Sequence, residues 1–166
     1  MYGILILLTA TLVWAAPPAQ ELVCEHIPQI QQRFLVNHLQ PNQPAVIEAR
    51  TIEQYMKRLD GSKLYLLENE FNDIQKSMTK IFTKISANDC SPILKTSELL
   101  SKRVEERIKY AQEYLGPKFK IEKDWKIQTD YDKRKRPKTE KEAKRAFEAQ
   151  LQYDVAIYVG TGISLA

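Results

Sequence analysis

The sequence predicts an all-α protein, an irregular antiparallel bundle of about five helices with a long basic loop before the last one. Three observations carry this. Apolar residues recur at intervals of three and four over most of the chain, the period of amphipathic helices. Charged residues make up 28% and hydrophobic residues 43% with only 5 Gly, a balance that favours a soluble helical chain. Proline and capping residues stand where helices would begin, at Pro28, Ser91-Pro92 and Thr139. The 166 residues suit one compact domain with a real core.

The first helix is expected from Pro28 to Leu39, with Ile27, Ile30, Phe34, Leu35 and Leu39 at helical spacing. QPNQP, at 40–44, forces a loop. A second helix follows from about Ala45 to Leu59, its stripe formed by Ile52, Tyr55, Met56 and Leu59. Asp60-Gly61 stops it, since Gly alone takes the left-handed closing conformation without steric cost. The run Leu64-Tyr65-Leu66-Leu67 is too short for a helix face and too apolar for a free loop. It is expected to plug a gap between helices, with Leu64 and Leu67 sealed inside and Ile52, Tyr55, Leu59 and Phe71 in the same core.

Glu68 and Asn69 open a third helix that the periodicity carries to Ser86 through Phe71, Ile74, Met78, Ile81, Phe82 and Ile85. Residues 88–91 break it. Ser91 as cap and Pro92 at the first helical position start the longest helix. Its inner stripe is Leu100, Val104, Ile108, Ala111 and Leu115, with Lys102, Arg103, Glu105, Glu106 and Lys109 on the wet face. Gly116-Pro117 ends it. FKIEKDWKIQ then reads as a short extended piece, in which Phe119 and Trp125 either form a flap over the bundle or meet a further domain. TDYDKRKRPK carries no apolar period. Lys and Arg outnumber Asp and Glu by five between Lys118 and Lys138, against a net charge of +4 for the whole chain. Thr139-Glu140-Lys141-Glu142 is a capping box that starts the last helix, with Ala143, Ala146, Phe147, Leu151 and Tyr158 on its buried side.

Residues 1–20 hold no charged side chain, and Ile4 to Ala16 form an apolar run ending in small residues. This pattern predicts a signal peptide over 1–15, cut after Ala15 so that Ala16 begins a single domain over 16–166. Pro17 and Pro18 close the run below the roughly 20 residues of a membrane span. Export to the periplasm, with no stable membrane span after cleavage, is the expected outcome; a basic intracellular protein with a buried apolar start is the alternative. In an exported chain Cys24 and Cys90 point to one intramolecular disulfide, with two buried thiols as the other reading. Closing that span restricts the unfolded chain by about 4 kcal/mol in the entropy model.

The order of a helix, an LDxxK turn at Leu59–Lys63, a buried aromatic-aliphatic run and an acidic helix start, with the PKTE helix start at Pro137–Glu140, resembles the N-terminal helical domain of tail-specific proteases. These are the periplasmic carboxy-terminal processing peptidases. The resemblance covers roughly Cys24 to the C terminus and implies a truncated member, ending before the PDZ and protease domains. In that family the nucleophilic serine and the lysine base lie in the later protease domain. No small-residue-flanked serine motif stands here, so the resemblance carries over no catalytic residue. It implies a non-enzymatic scaffold that docks a substrate tail or an adaptor. A free-standing periplasmic helical adaptor is the alternative.

No cofactor-binding motif is present. His26 and His38 lack the spacing to share a metal, and no CxxC occurs, so no metal site is expected. KRKRPK, at 133–138, reads as a solvated loop, because it lacks a stacking aromatic platform and adjoins Asp130 and Asp132. No nucleic-acid partner is expected, and an anionic membrane surface or an acidic protein is the next possibility. The tyrosines and phenylalanines before Gly116 are read as core rather than a peptide groove. Val155, Tyr158 and Ile163 on the unfinished last helix predict self-association. Oligomeric state is otherwise open.

Overall fold

The computed structural model describes residues 23–38, 43–122 and 125–162, and among them are six α-helices and one 3₁₀ turn. The 3₁₀ turn Cys24–His26 leads into α1 (Ile27–Asn37), then α2 (Pro44–Leu59), α3 (Glu68–Ser77), α4 (Ile81–Ser86), α5 (Ser91–Tyr114) and α6 (Glu140–Gly160). There is no strand among the described residues, and the all-α class holds. Leu39, residues 40–42 of the expected QPNQP loop, the expected leader with Ala15 and Ala16, and Ile163 lie outside the described residues.

The core gathers Met56, Leu66, Ile74, Met78, Ile81 and Ile85, with Ile52, Tyr55, Leu59 and Phe71 packed against it. Leu64 is buried as expected of the 64–67 run, but Leu67 is only half-buried, and the fully enclosed side chain is Leu66 at 0% exposure. Leu67 instead caps α3, its N–H donating to Glu70 Oε2 at 2.9 Å. Gly61 does not take the left-handed conformation. Lys63 does, with φ 57°, while at Gly61 an added Cβ would lie 3.3 Å from the Lys57 carbonyl oxygen. Glycine is used there for close approach.

The third helix of the sequence reading is two helices. Lys80, at φ 57°, breaks it without any Gly or Pro. The break is held from outside, since Glu48 Oε1 on α2 accepts the Phe82 N–H at 2.7 Å and Lys84 Nζ donates to Ser77 O at 2.7 Å. Tertiary partners here override a continuous local pattern. α5 is capped by Cys90 rather than Ser91, with Asp89 Oδ1 accepting the Ser91 N–H at 3.0 Å. α6 is capped by Thr139, whose hydroxyl accepts the Glu142 N–H at 3.2 Å, and Glu142 folds back to the Lys138 N–H at 2.8 Å.

On two helices the apolar stripe is only partly turned inward: Ile27 and Leu100 pack against the core, but other members do not. On α1, Ile30 and Phe34 are 52% and 51% exposed. On α5, Ile108 is 54% exposed, whereas Pro92, Thr96 and Arg107 are buried and Arg103 is half-buried. Arg103 and Arg107 turn inward because acceptors await them there, while Lys102, Glu105, Glu106 and Lys109 stay exposed and Leu100 packs against the core, as expected. Tyr158 on α6 is 60% exposed, and the inner side of that helix is formed by Ala143, Phe147 and Gln152.

α6 runs alongside α5 in the same direction, since Tyr110 meets Glu148 and Tyr114 meets Gln152. The antiparallel arrangement therefore does not extend to this pair. A parallel neighbour needs a connection as long as the helix. The 24 residues of α5 span about 36 Å at roughly 1.5 Å per residue, a distance that about 11 extended residues would cross. Segment 115–139 is long enough to bring the chain back. Its extended part has no strand partner; the Gln152 side chain takes that role, accepting the Glu122 N–H at 3.1 Å and donating to Lys120 O at 3.3 Å. Phe119 packs on Tyr114 and Trp125 on Tyr153, so the segment is a flap over the bundle.

The burial pattern gives a first prediction. Leu66→Ala lowers the urea-unfolding free energy by about 2–5 kcal/mol, and Leu67→Ala by clearly less. Equal losses at the two positions would return the insert to the register read from the sequence.

Candidate functional site

The C-terminal end of α2 and the chain that follows form the most heavily bonded part of the molecule. Asp60 turns its side chain inward, where it has no solvent exposure. One oxygen, Oδ1, accepts the Leu64 N–H at 3.1 Å and the Ser62 hydroxyl at 3.4 Å. The other, Oδ2, accepts the Leu66 N–H at 3.0 Å and pairs with the Arg136 guanidinium. Arg136 also donates to the Leu66 and Asp60 carbonyl oxygens, each at 3.3 Å, and its guanidinium carbon lies 4.0 Å from the Phe71 ring centroid.

The basic run is therefore not a solvated loop. Along an extended chain alternate side chains face opposite ways, and here Arg134 and Arg136 point in while Lys133 and Lys135 point out. Arg134 donates to Ser62 O at 2.9 Å, to Gln128 O at 2.8 Å and to Gln150 Oε1 at 3.0 Å. Lys63, turned by its left-handed backbone, reaches Asp132 O at 3.0 Å and Arg134 O at 2.8 Å. Pro137 is buried and its carbonyl accepts the Glu68 N–H at 2.8 Å, at the first residue of α3. Of the outward lysines, Lys133 pairs with Asp130 at 3.0 Å and Lys138 with Glu68 at 3.6 Å. These pairings weaken the case for an anionic surface as partner.

A second set of charges closes the same turn from α5. Arg103 pairs with Glu70, with Glu106 at 2.7 Å and with Glu140 at 2.8 Å. Arg107, 3% exposed, donates to Leu64 O at 3.4 Å and to Glu140 at 3.2 Å. The hydrogen bond to Glu70 holds the Arg103 guanidinium above its ordinary range, and the Arg103 hydrogen bond pulls Glu106 below the usual carboxylate value. Four arginines thus converge on the stretch from Asp60 to Glu70. Further along α5, burial and then the hydrogen bond to Glu148 push the Tyr110 phenol up to about 12.

Beside this clasp runs a groove of about 520 Å³, with Met56, Phe71 and Tyr131 as apolar lining and Lys57, Lys63, Asp130 and Asp132 as charged lining. Thr129 also lines it, and the groove offers shape and charge to a chain laid along it. His26 is exposed and His38 stands against Phe34 with ring centroids 5.2 Å apart; no metal-binding cluster occurs among the described residues. No described helix is long and apolar enough to cross a membrane. Cys24 and Cys90 are joined in a disulfide.

Fold and site together define an all-helical domain whose buried polar groups hold a non-helical insert in place. The chain belongs to the tail-specific protease N-terminal domain family, whose model matches residues 30–160. Over 107 residues, 64% of this chain, it is 25% identical to a tail-specific protease of Haemophilus influenzae. That stretch amounts to 15% of the relative's length, so this chain corresponds to a small part of it. No solved structure matches.

Arg134, Arg136, Arg103, Arg107 and Gln152 escape a reading based on apolar periodicity. One available signal is the alternation of Arg with Lys in KRKRPK, because the planar fork of Arg suits multiple buried acceptors and the Lys ammonium does not.

Two predictions rest on this geometry. Asp60→Asn and Arg136→Met each cost about 3–5 kcal/mol in urea unfolding, since each leaves a buried charge without its partner, and the double variant is less unstable than the two losses added. Strict additivity would show that the pair does not act as a unit. The second concerns alkaline pH. Tyr110 binds its proton more tightly when folded, so its contribution is complete below its unfolded value of 10.0 and is lost as pH rises through about 12. Tyr110→Phe removes that part of the alkaline decline, measurable as a flatter stability profile between those values.

Proposed function

We propose that this chain is the non-catalytic N-terminal helical module of a tail-specific serine protease, a scaffold on which a substrate tail or an adaptor docks for proteolysis. The family match over residues 30–160 carries the reading, because the family is described as the N-terminal domain of tail-specific protease. The geometry agrees with it. The buried arginines and Asp60 are engaged in holding the turn, and the groove beside them has the mixed apolar and charged lining that an extended polypeptide needs.

Export completes the reading. We place the leader at 1–15, the domain at 16–166 and the protein in the periplasm, a compartment in which a disulfide such as Cys24–Cys90 forms. The partner is a protein or peptide, and neither nucleic acid nor a cofactor enters.

Fluorescence anisotropy with an unfolded, dye-labelled polypeptide tests the proposal. The chain binds the probe and returns it uncut, and Lys57→Glu with Tyr131→Ala weakens binding about tenfold while the helical circular dichroism is unchanged. Hydrolysis of the probe by the pure chain would overturn the non-catalytic assignment. Binding that ignores both substitutions would remove docking from this groove. Mass spectrometry of the exported protein reads the leader, with Ala16 expected as the first residue.

A further inference from the structure

The Cys24–Cys90 disulfide ties down the part of the fold with the least packing of its own. α1 contains no buried residue. Ile27 is half-buried against the core, and Gln31 Nε2 donates to Phe82 O on α4 at 3.4 Å, near the long limit for such a bond. The other end of the same amide works against docking, since Gln31 Oε1 is buried without a hydrogen-bond partner among the described residues. Against these ties, the disulfide joins the entry of α1 to the cap of α5 with Cα atoms 5.9 Å apart. The Asp60 clasp and the α5–α6 ion pairs involve no residue of α1.

We propose that this disulfide is a redox latch: oxidised, it clamps α1 onto α4; reduced, it lets α1 leave while α2–α6 remain folded. The reductant is a dithiol. Its thiolate attacks Cys24, the half-buried sulfur, because Cys90 is 3% exposed and shielded. The Cys24–Cys90 bond breaks, Cys90 leaves as a thiolate and takes a proton, and a mixed disulfide forms at Cys24. The second thiol of the reductant, deprotonated, attacks its own sulfur in that mixed disulfide and closes a cyclic disulfide. Cys24 is released as a thiolate and protonated. Two electrons and two protons pass to the protein, and the dithiol is oxidised. Phe82, whose carbonyl receives the Gln31 amide, also lines an apolar cleft of about 90 Å³ with Ile52, Tyr55 and Ile85. Departure of α1 frees that wall to move.

Backbone amide exchange of the whole chain, with and without dithiothreitol, reads the latch. On reduction the amides of α1 exchange at least about tenfold faster, while those of α3, α5 and α6 stay within about twofold. Cys24→Ala, which leaves the buried Cys90 in place, gives the same pattern without reductant. Unchanged exchange in α1 after complete reduction would show that packing alone holds it. Uniform acceleration through all helices would make the disulfide a global staple instead, and either result overturns the proposal.

Discussion

A carboxylate with no solvent exposure decides how this molecule is built. Asp60 sits where α2 ends, and the next stretch of backbone is neither helix nor surface. Non-helical backbone in a core leaves N–H groups without partners, each costly to bury. Asp60 supplies the acceptors for two of them, at Leu64 and Leu66, so that Leu66 can occupy the centre of the helical core. The carboxylate is itself expensive to desolvate, and only a full set of donors with an opposite charge makes its burial tolerable. Arg136 provides that charge from 76 residues along the sequence, so the turn after α2 is complete only where segment 128–137 crosses it.

Why arginine recurs around this turn follows from the same demand. Carbonyl oxygens at Ser62, Leu64 and Leu66 lie inside without helical partners, and each receives a guanidinium N–H from Arg134, Arg107 or Arg136. One planar group that serves several acceptors at fixed angles satisfies such a site with fewer buried charges than separate ammonium groups would. Lys63 joins in from outside, where its flexible stem and strong hydration are no disadvantage. The groove along the clasp inherits its rigidity, since Met56, Phe71 and Tyr131 are each held by an element that the arginines fix.

Much of the helical skeleton could be read from the chain because caps and apolar spacing act within a few residues. Thr139 caps α6, the helices end near Leu59 and Leu115, and Ile52, Tyr55, Leu59 and Phe71 contact the core. What escaped depends on partners distant in sequence. Periodicity ranks positions by apolarity, and on α5 it favoured Ile108 over Arg107, although Glu140 and the Leu64 carbonyl draw Arg107 inward. The break at Lys80 has no sign in the apolar period because Glu48, 34 residues before Phe82, holds the start of α4 from α2. The KRKRPK run at 133–138 reads as solvated for a related reason. A count of charges is blind to which of two alternating faces they occupy.

The buried amide of Gln152 shows how far polar matching shapes the remainder of the fold. It is 2% exposed, donates to the Tyr114 hydroxyl at 2.8 Å, and bonds both ways with the backbone at Lys120 and Glu122. A side-chain amide offers one acceptor and two donors, enough to stand in for the edge of a strand. It thereby anchors the start of the crossover to α6 and helps set α6 parallel to α5, in register with the Glu140 pairs nearer its beginning. Directional bonds of this kind fix the middle of the domain in one arrangement. Its margins, α1 and the last turns of α6 with Ile157 and Tyr158 exposed, rely on weaker and less directional contacts. Rigidity should therefore fall from the Asp60 turn toward both margins, so that changes in shape are confined to elements whose release leaves no buried charge unpaired.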